Sequence, residues 1–156
     1  ETYTRAKEQK LGTQYTDAEK DMIAGIMYAK SSFANAKKMI LWGSSYSAAL
    51  ALKIVGDGRL EVDAVLSFSP GEYFEPMGES PNFIREGAQN VTVPVFVTSA
   101  KNEREPWWEI YESTPAIGKD YYLPKTEGKH GARALWEKFP DHKECWNAVE
   151  AFLKKL

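Results

Sequence analysis

Largely apolar runs alternate with helical patterns along most of this chain. The runs at residues 38–42, 62–68 and 93–97 lack a regular polar alternation, which is typical of strands buried on both faces. A shorter run at 121–123 predicts a fourth strand. Strands separated by helices favour an α/β fold, with a mostly parallel sheet that helices flank on both faces.

Apolar residues at helical spacing predict helices around these strands. The first follows Thr16-Asp17-Ala18-Glu19, which has the form of a capping box. The predicted helices cover residues 16–30, 48–55, 106–111 and 141–156. They supply the layers that a buried parallel sheet requires.

Two segments show neither pattern. Residues 1–15 are polar and lack periodicity. Residues 69–90 contain several proline, glycine and asparagine residues, which predicts a long loop with at most one helical turn. Long loops in compact domains often carry function.

Composition limits the domain organisation and the partners. The chain has 156 residues, of which 43% are hydrophobic, so residues 1–156 are expected to form a single domain around one core. The net charge is -2, from 20 basic and 22 acidic residues, with no long block of either sign. Nucleic acid and anionic membranes are therefore not expected as partners.

The sequence gives little information on compartment. No apolar run approaches the ~20 residues of a membrane span, and residues 1–5 show no signal-peptide pattern. Cys145 is the only cysteine, which excludes an internal disulfide and a cysteine metal cluster. A soluble protein of the cytoplasm or of a secreted or periplasmic space fits these features equally well.

Gly43-Ser44-Ser45-Tyr46-Ser47 joins the first apolar run to a helical stretch of small residues. A sharp strand-to-helix turn at Ser45 would lift its hydroxyl clear of the sheet and aim the first helical N–H groups beside it. The positions two before and two after the serine must be small, and Gly43 and Ser47 satisfy this. The motif favours acyl transfer, although a serine where the last glycine is usual weakens it.

An activated serine needs a base, and the chain has two histidines. His130 lies in Gly128-Lys129-His130-Gly131, a loop after the last predicted strand, where small neighbours allow close approach. His142 lies in the first turn of the last helix, where a solvated side chain is the simpler interpretation. His130 is the predicted base.

The acid that orients this base has two candidates. Glu103 follows the strand that ends near Thr98, and Glu72 follows the strand that ends near Phe68. Both positions lie where catalytic groups occur in open α/β sheets. Glu103 is preferred, because Ser45, Glu103 and His130 then follow the Ser, acid, His chain order of one large fold family.

From Thr16 to Leu156 the chain resembles the carboxyl-terminal half of an α/β-hydrolase, of the esterase or dienelactone-hydrolase-like kind. The residues that carry the resemblance are Gly43–Ser47 for the elbow, Pro94–Glu103 for the acid strand and Lys129–Gly131 for the histidine loop. The three pieces are weak singly and fairly specific together.

The resemblance implies a Ser45–His130–Glu103 triad, no metal and no organic cofactor. It also implies that the Tyr46 backbone N–H is one oxyanion donor. The second donor of the family follows an early strand, and the early strands have no counterpart ahead of Thr16. We therefore expect a domain that is incomplete at its amino-terminal end, and that self-associates or pairs with a chain supplying the early strands.

Aromatic residues cluster in the segments expected to surround the serine. Tyr73, Phe74 and Trp107 are the predicted substrate-binding residues. The alternative for each is a place in the core, since large aromatic side chains dominate core packing. The further aromatic candidates are Tyr46, Trp108 and Trp136.

Two functions of different classes follow from the sequence. The first is a serine esterase that forms an acyl-enzyme from a small-molecule ester. The second is an incomplete or non-catalytic module that keeps the hydrolase architecture and acts in binding or assembly. The expected absence of the early strands favours the second, and the three matching pieces favour the first.

Overall fold

The computed structural model describes residues 2–156, in which four parallel strands form one sheet. Their order in the sheet is their order in the chain: β1 (Ile40–Ser44), β2 (Ala64–Phe68), β3 (Val95–Thr98) and β4 (Asp120–Tyr122). Because the strands are parallel, their carboxyl ends lie at the same end of the sheet. The segments that follow the strands therefore meet there.

Helices cover both faces of this sheet. The helices are α1 (Thr2–Glu8), α2 (Ala18–Ser32), α3 (Tyr46–Gly56), α4 (Phe83–Ala88), α5 (Arg104–Ser113) and α6 (His142–Leu153). One buried cluster joins Leu41, Val65 and Val95 to side chains of α3, α4 and α5, and α2 packs against it. A second cluster joins Leu66 and Phe96 to α6. The predicted α/β architecture is confirmed.

Two local predictions were wrong. The expected loop at 69–90 contains α4 as well as a short 3-10 turn at Glu75–Met77. The capping box at Thr16 does not form: Asp17 occupies the cap position, makes no side-chain bond to the helix, and accepts the Gln14 backbone N–H at 2.8 Å. Residues 2–8, which showed no apolar periodicity, form α1.

Strand β1 lies at an edge of the sheet, with β2 as its single neighbour within residues 2–156. Trp42 of β1 is 40% exposed, although it stacks on Phe68 and meets Trp146 of α6 edge-on. The β4 edge ends the sheet on the opposite side. None of the helices in the described part of the chain is both long and apolar enough to cross a bilayer.

Candidate active site

Ser45 occupies a strained turn between β1 and α3. Its backbone has φ 60° and ψ −129°, a region that residues with a side chain rarely adopt and that typically costs about 1–3 kcal/mol. The turn is held on both sides: the Ser45 N–H donates to the Phe68 carbonyl at 2.8 Å, and the Ser45 carbonyl accepts the Ala48 N–H at 2.9 Å. Such a conformation is the one that a nucleophile elbow requires.

The residues two before and two after Ser45 explain how the turn closes. A Cβ on Gly43 would lie only 2.5 Å from the Ala48 Cα and would also overlap the Ser47 carbonyl. The Ser47 hydroxyl donates to the Ser44 carbonyl at 2.8 Å and accepts the Ser44 N–H at 2.9 Å. A serine thus replaces the usual glycine here by bonding across the turn.

Alanine at Gly43 is expected to destabilise the fold, because strand β1 and helix α3 must separate to admit its methyl group. We expect the free energy of unfolding to fall by about 3 kcal/mol, the upper end for an overpacked site. Chemical denaturation measures this change.

Gly25 provides the matched control for this substitution. It lies in the exposed interior of α2, and a Cβ there would meet nothing within 4 Å. Gly25→Ala should therefore stabilise the chain by about 1 kcal/mol, through helix propensity alone. Equal effects of the two substitutions would contradict the tight contact at the elbow.

Glu103 and His130 form a hydrogen-bonded pair. His130 Nδ1 lies 2.7 Å from Glu103 Oε1, and both side chains are partly buried. Glu103 ends the 3-10 turn Lys101–Glu103 that follows β3, and His130 precedes a second such turn at Gly131–Leu135. With the proton on Nδ1, this pairing leaves Nε2 of His130 free to act as a base.

The histidine loop packs directly on the elbow. Gly131 has φ +63°, and a Cβ there would overlap the Ser44 hydroxyl and lie 3.8 Å from the Ser45 nitrogen. Ala132 donates its N–H to that same Ser44 hydroxyl at 2.9 Å. His130 is thus one residue from a glycine that touches the turn carrying Ser45.

The Ser45 hydroxyl itself makes no hydrogen bond within residues 2–156, and the Tyr46 N–H donates to no acceptor there either. Tyr46 is the first residue of α3, where backbone N–H groups lack partners inside the helix. Catalytic hydrogen bonds are often long or unformed before substrate binds. A free hydroxyl beside a free N–H is compatible with an attacking group and an oxyanion donor.

The structure distinguishes the rival candidates by their contacts. The Glu72 carboxylate accepts the N–H groups of Ile84 and Arg85 at 2.8 and 2.9 Å, so it binds the amino-terminal turn of α4. Burial raises the pKa of this carboxyl in spite of the two bonds. His142 Nδ1 contacts the Phe139 carbonyl at 2.7 Å, at the start of α6. Neither side chain pairs with a residue of the elbow.

Two of the predicted substrate-binding residues belong to the core. Phe74 and Trp107 are completely buried, and the Trp107 Nε1–H donates to the Ser99 hydroxyl at 2.7 Å. They line no open surface in this structure: Trp107 lies in α5, and both side chains belong to the buried cluster that also includes residues of α3 and α4.

Tyr73, the third of these residues, lies on the acid side of the site. Its hydroxyl donates to the Ser69 carbonyl at 2.8 Å. Burial, with the nearby Glu103 carboxylate as a second cause, raises the pKa of Tyr73 to about 12. Its phenol is therefore neutral at pH 7.

Two residues near the site were not predicted. Tyr15 stacks its ring on that of Tyr46, with the centroids 4.4 Å apart and the planes 3° from parallel. Ser69 lies between the acid and the histidine loop. The signal for Ser69 was its place at the end of a buried strand, directly before Pro70-Gly71.

A cavity of about 750 Å³ opens beside His130, between the 100–102 turn and the 126–130 loop. Its lining does not include Ser45. Within residues 2–156, no cluster of three or more histidine, cysteine, aspartate or glutamate side chains is arranged to hold a metal ion.

Comparison with known proteins gives similarity at the level of structure. No family model matches the chain, and no curated protein matches it. The structure is similar to that of the Pyrococcus furiosus esterase Pf2001, with a TM-score of 0.72 at 19% identity over 92% of this chain and 64% of the esterase.

Two other crystal forms of this esterase give the same result. The first gives a TM-score of 0.64 at 18% identity, over 92% of this chain and 64% of the esterase. The second gives a TM-score of 0.60 at 16% identity, over 86% of this chain and 60% of the esterase. The chain thus spans less than two thirds of the length of the esterase that it matches. Over nearly all of its own length, the chain has the α/β-hydrolase fold that its sequence resembles.

Proposed function

We propose that this chain carries the nucleophile, base and acid of a serine carboxylic-ester hydrolase. Ser45 Oγ attacks the ester carbonyl as His130 Nε2 takes its proton. The Glu103 carboxylate holds Nδ1 of the ring and stabilises the imidazolium that forms. The Tyr46 backbone N–H donates to the oxyanion of the tetrahedral intermediate.

The first half ends when His130 gives its proton to the leaving alcohol, and the acyl group remains on Ser45. In the second half a water molecule gives a proton to His130 while its oxygen attacks the acyl carbonyl. His130 then returns that proton to Ser45 Oγ as the carboxylic acid leaves, which restores the serine. Every proton moves between His130 and Ser45, the alcohol or the water.

The observation that carries the proposal is the 2.7 Å contact between His130 Nδ1 and Glu103 Oε1, in a loop that packs on the turn at Ser45. The strained backbone of Ser45 in that turn supports the proposal, because strain of this kind clusters at functional sites. Similarity to a protein described as an esterase supports the same chemistry.

Covalent labelling with a fluorophosphonate tests the proposal, because the reagent reacts with activated serines. We expect the label on Ser45 of the purified chain, located by peptide mass spectrometry, and none on the neighbouring Ser44 or Ser47. An unlabelled, folded chain would instead favour the non-catalytic module.

We also propose that the open edge of β1 pairs with a further strand, from a second copy or from a chain that supplies early strands. Unpaired backbone groups along an edge strand promote such pairing. Trp42, exposed to 40%, extends the apolar surface beside that edge. A second oxyanion donor would enter the site with the added strand.

The lone chain should therefore self-associate at micromolar concentration in sedimentation velocity. Trp42→Lys is expected to shift it toward monomer, since a lysine at an edge strand opposes pairing. Ile117→Lys is the matched control, because Ile117 is 91% exposed but lies just before β4, at the opposite edge. A folded parent chain that is monomeric under these conditions would show that β1 recruits no strand.

A further inference from the structure

Ser69 is a buried serine with an unusual backbone conformation. It directly follows β2, is 1% exposed and has φ 55°. A residue with a side chain is uncommon in this left-handed region, and strain of this kind persists only where the surroundings impose it. The hydrogen bonds of Ser69 explain how the surroundings impose this conformation.

Four hydrogen bonds hold Ser69, and its hydroxyl makes two of them. The hydroxyl donates to Glu103 Oε2 at 2.7 Å and accepts the Gly131 N–H at 2.8 Å. The backbone N–H donates to the Thr98 carbonyl at 2.6 Å, and the backbone carbonyl accepts the Tyr73 hydroxyl at 2.8 Å. Ser69 thus links the acid to the residue that follows the base.

The direction of the Ser69 hydroxyl proton follows from these contacts. A hydroxyl has one proton to donate, and the Gly131 N–H can only donate, so that proton is directed toward Glu103. The Glu103 carboxylate is then held at both oxygens, with Oε1 on His130 and Oε2 on Ser69 and, at 3.2 Å, on the Ala100 N–H. Rotation of the carboxylate would break these contacts together.

We propose that Ser69 is a positioning residue, which fixes the Glu103 carboxylate toward His130 and holds the histidine loop at its distance from the acid. This inference rests on the proposed function for its catalytic consequence. Its structural part, the orientation of the acid–base pair, exists in the resting protein. The positive φ is explained as well, since it turns the hydroxyl of a strand-end residue toward the site.

Three variants separate the effect of the Ser69 hydroxyl from the effects of burying a serine and of straining its backbone. Ser69→Ala removes the hydroxyl, and Ser69→Gly removes it while relieving the strain at φ 55°. Ser67→Ala is the matched control. Ser67 lies in β2, two residues before Ser69, is completely buried and donates to the Ala48 carbonyl at 3.0 Å, with no hydrogen bond to Glu103 or His130.

Two readouts apply to each folded variant, with circular dichroism to verify the fold. The first is the downfield proton resonance of His130 Nδ1–H in the resting chain. The second is the split between kcat and KM for a short-chain aryl ester. We expect both Ser69 variants to shift or broaden the resonance, and to lower kcat by about 10–10²-fold, the effect of a small misplacement, with KM nearly unchanged.

The outcomes distinguish this inference from the proposed function. If Ser69→Ala and Ser69→Gly leave the resonance and kcat as they are in Ser67→Ala, Ser69 has no positioning role. A normal kcat in Ser69→Gly with a reduced one in Ser69→Ala would assign the effect to the backbone and overturn the inference. If the parent chain hydrolyses no ester but the resonance still moves, the positioning role stands and the proposed function fails.

Discussion

Alanine at Ser45 is expected to lower ester hydrolysis by about 10⁶-fold, the loss seen when an activated serine is removed from a comparable triad. Ser45 is the residue whose backbone is strained at φ 60° at the end of β1. Without its Oγ no acyl-enzyme forms, so His130 and Glu103 have no proton to move. The measurement is the initial rate on a short-chain aryl ester, above the rate without protein.

Two serine variants control for this result. Ser31 lies on α2, where its exposed hydroxyl bonds only to the Tyr28 carbonyl, and Ser31→Ala should match the parent. Ser47→Ala loses the bonds across the elbow but should retain measurable activity, because the proposed nucleophile is Ser45. An active parent whose Ser45→Ala variant is equally active would disprove the assignment.

Glutamine at Glu103 is expected to lower kcat by about 10⁴-fold, as the loss of the orienting carboxylate does in a related triad. Glu103 Oε1 lies 2.7 Å from His130 Nδ1, and an amide there no longer stabilises the imidazolium. If the amide N–H₂ faces the ring, it favours the tautomer with its proton on Nε2, which cannot act as the base. Rates measured across pH report the loss.

Glu72→Gln is the matched substitution at the rival carboxylate. Glu72 bonds the backbone of α4 and touches neither the base nor the elbow. Its replacement should leave kcat within about twofold of the parent, since an effect confined to local stability does not alter the reacting groups. A steep loss in Glu72→Gln with none in Glu103→Gln would transfer the role to Glu72.

The parallel sheet was predictable because its two inner strands are buried on both faces. A strand covered by helices on either side carries apolar residues without alternation, and the runs that became β2 and β3 show this. The run that became β1 is equally apolar, although Trp42 is partly exposed at the sheet edge. The placement of the candidate acid and base after strand ends followed from the parallel arrangement, whereas the preference for Glu103 came from the chain order of one large fold family. The observed strand ends differ from the predicted ones by at most two residues.

Helix α4 could not be predicted in the same way. It has six residues, Phe83–Ala88, inside a segment whose prolines and glycines indicate a loop. Its place depends on a contact between distant glycines, since a Cβ on Gly56 of α3 would overlap the backbone of Gly87. A contact between small residues leaves no periodic signal in the sequence.

The burial of Phe74 and Trp107 and the contacts of Ser69 also could not be predicted from the sequence. Whether an aromatic residue after a strand faces solvent or the core depends on the tertiary packing around it, here in the cluster that includes residues of α3, α4 and α5. The Ser69 hydroxyl bonds to Glu103 and Gly131, which lie 34 and 62 residues further along the chain. Such pairs are set by tertiary structure.

The position of β1 has a consequence for how activity would depend on the amount of protein. Ser45 directly follows β1, whose outer edge has no partner strand within residues 2–156, so the proposed nucleophile and the proposed pairing edge are less than one strand length apart. A strand added at that edge would change the surroundings of the serine and of the Tyr46 N–H together. If the added strand comes from a second copy, the specific activity would rise with the concentration of the protein itself, and assembly would control it.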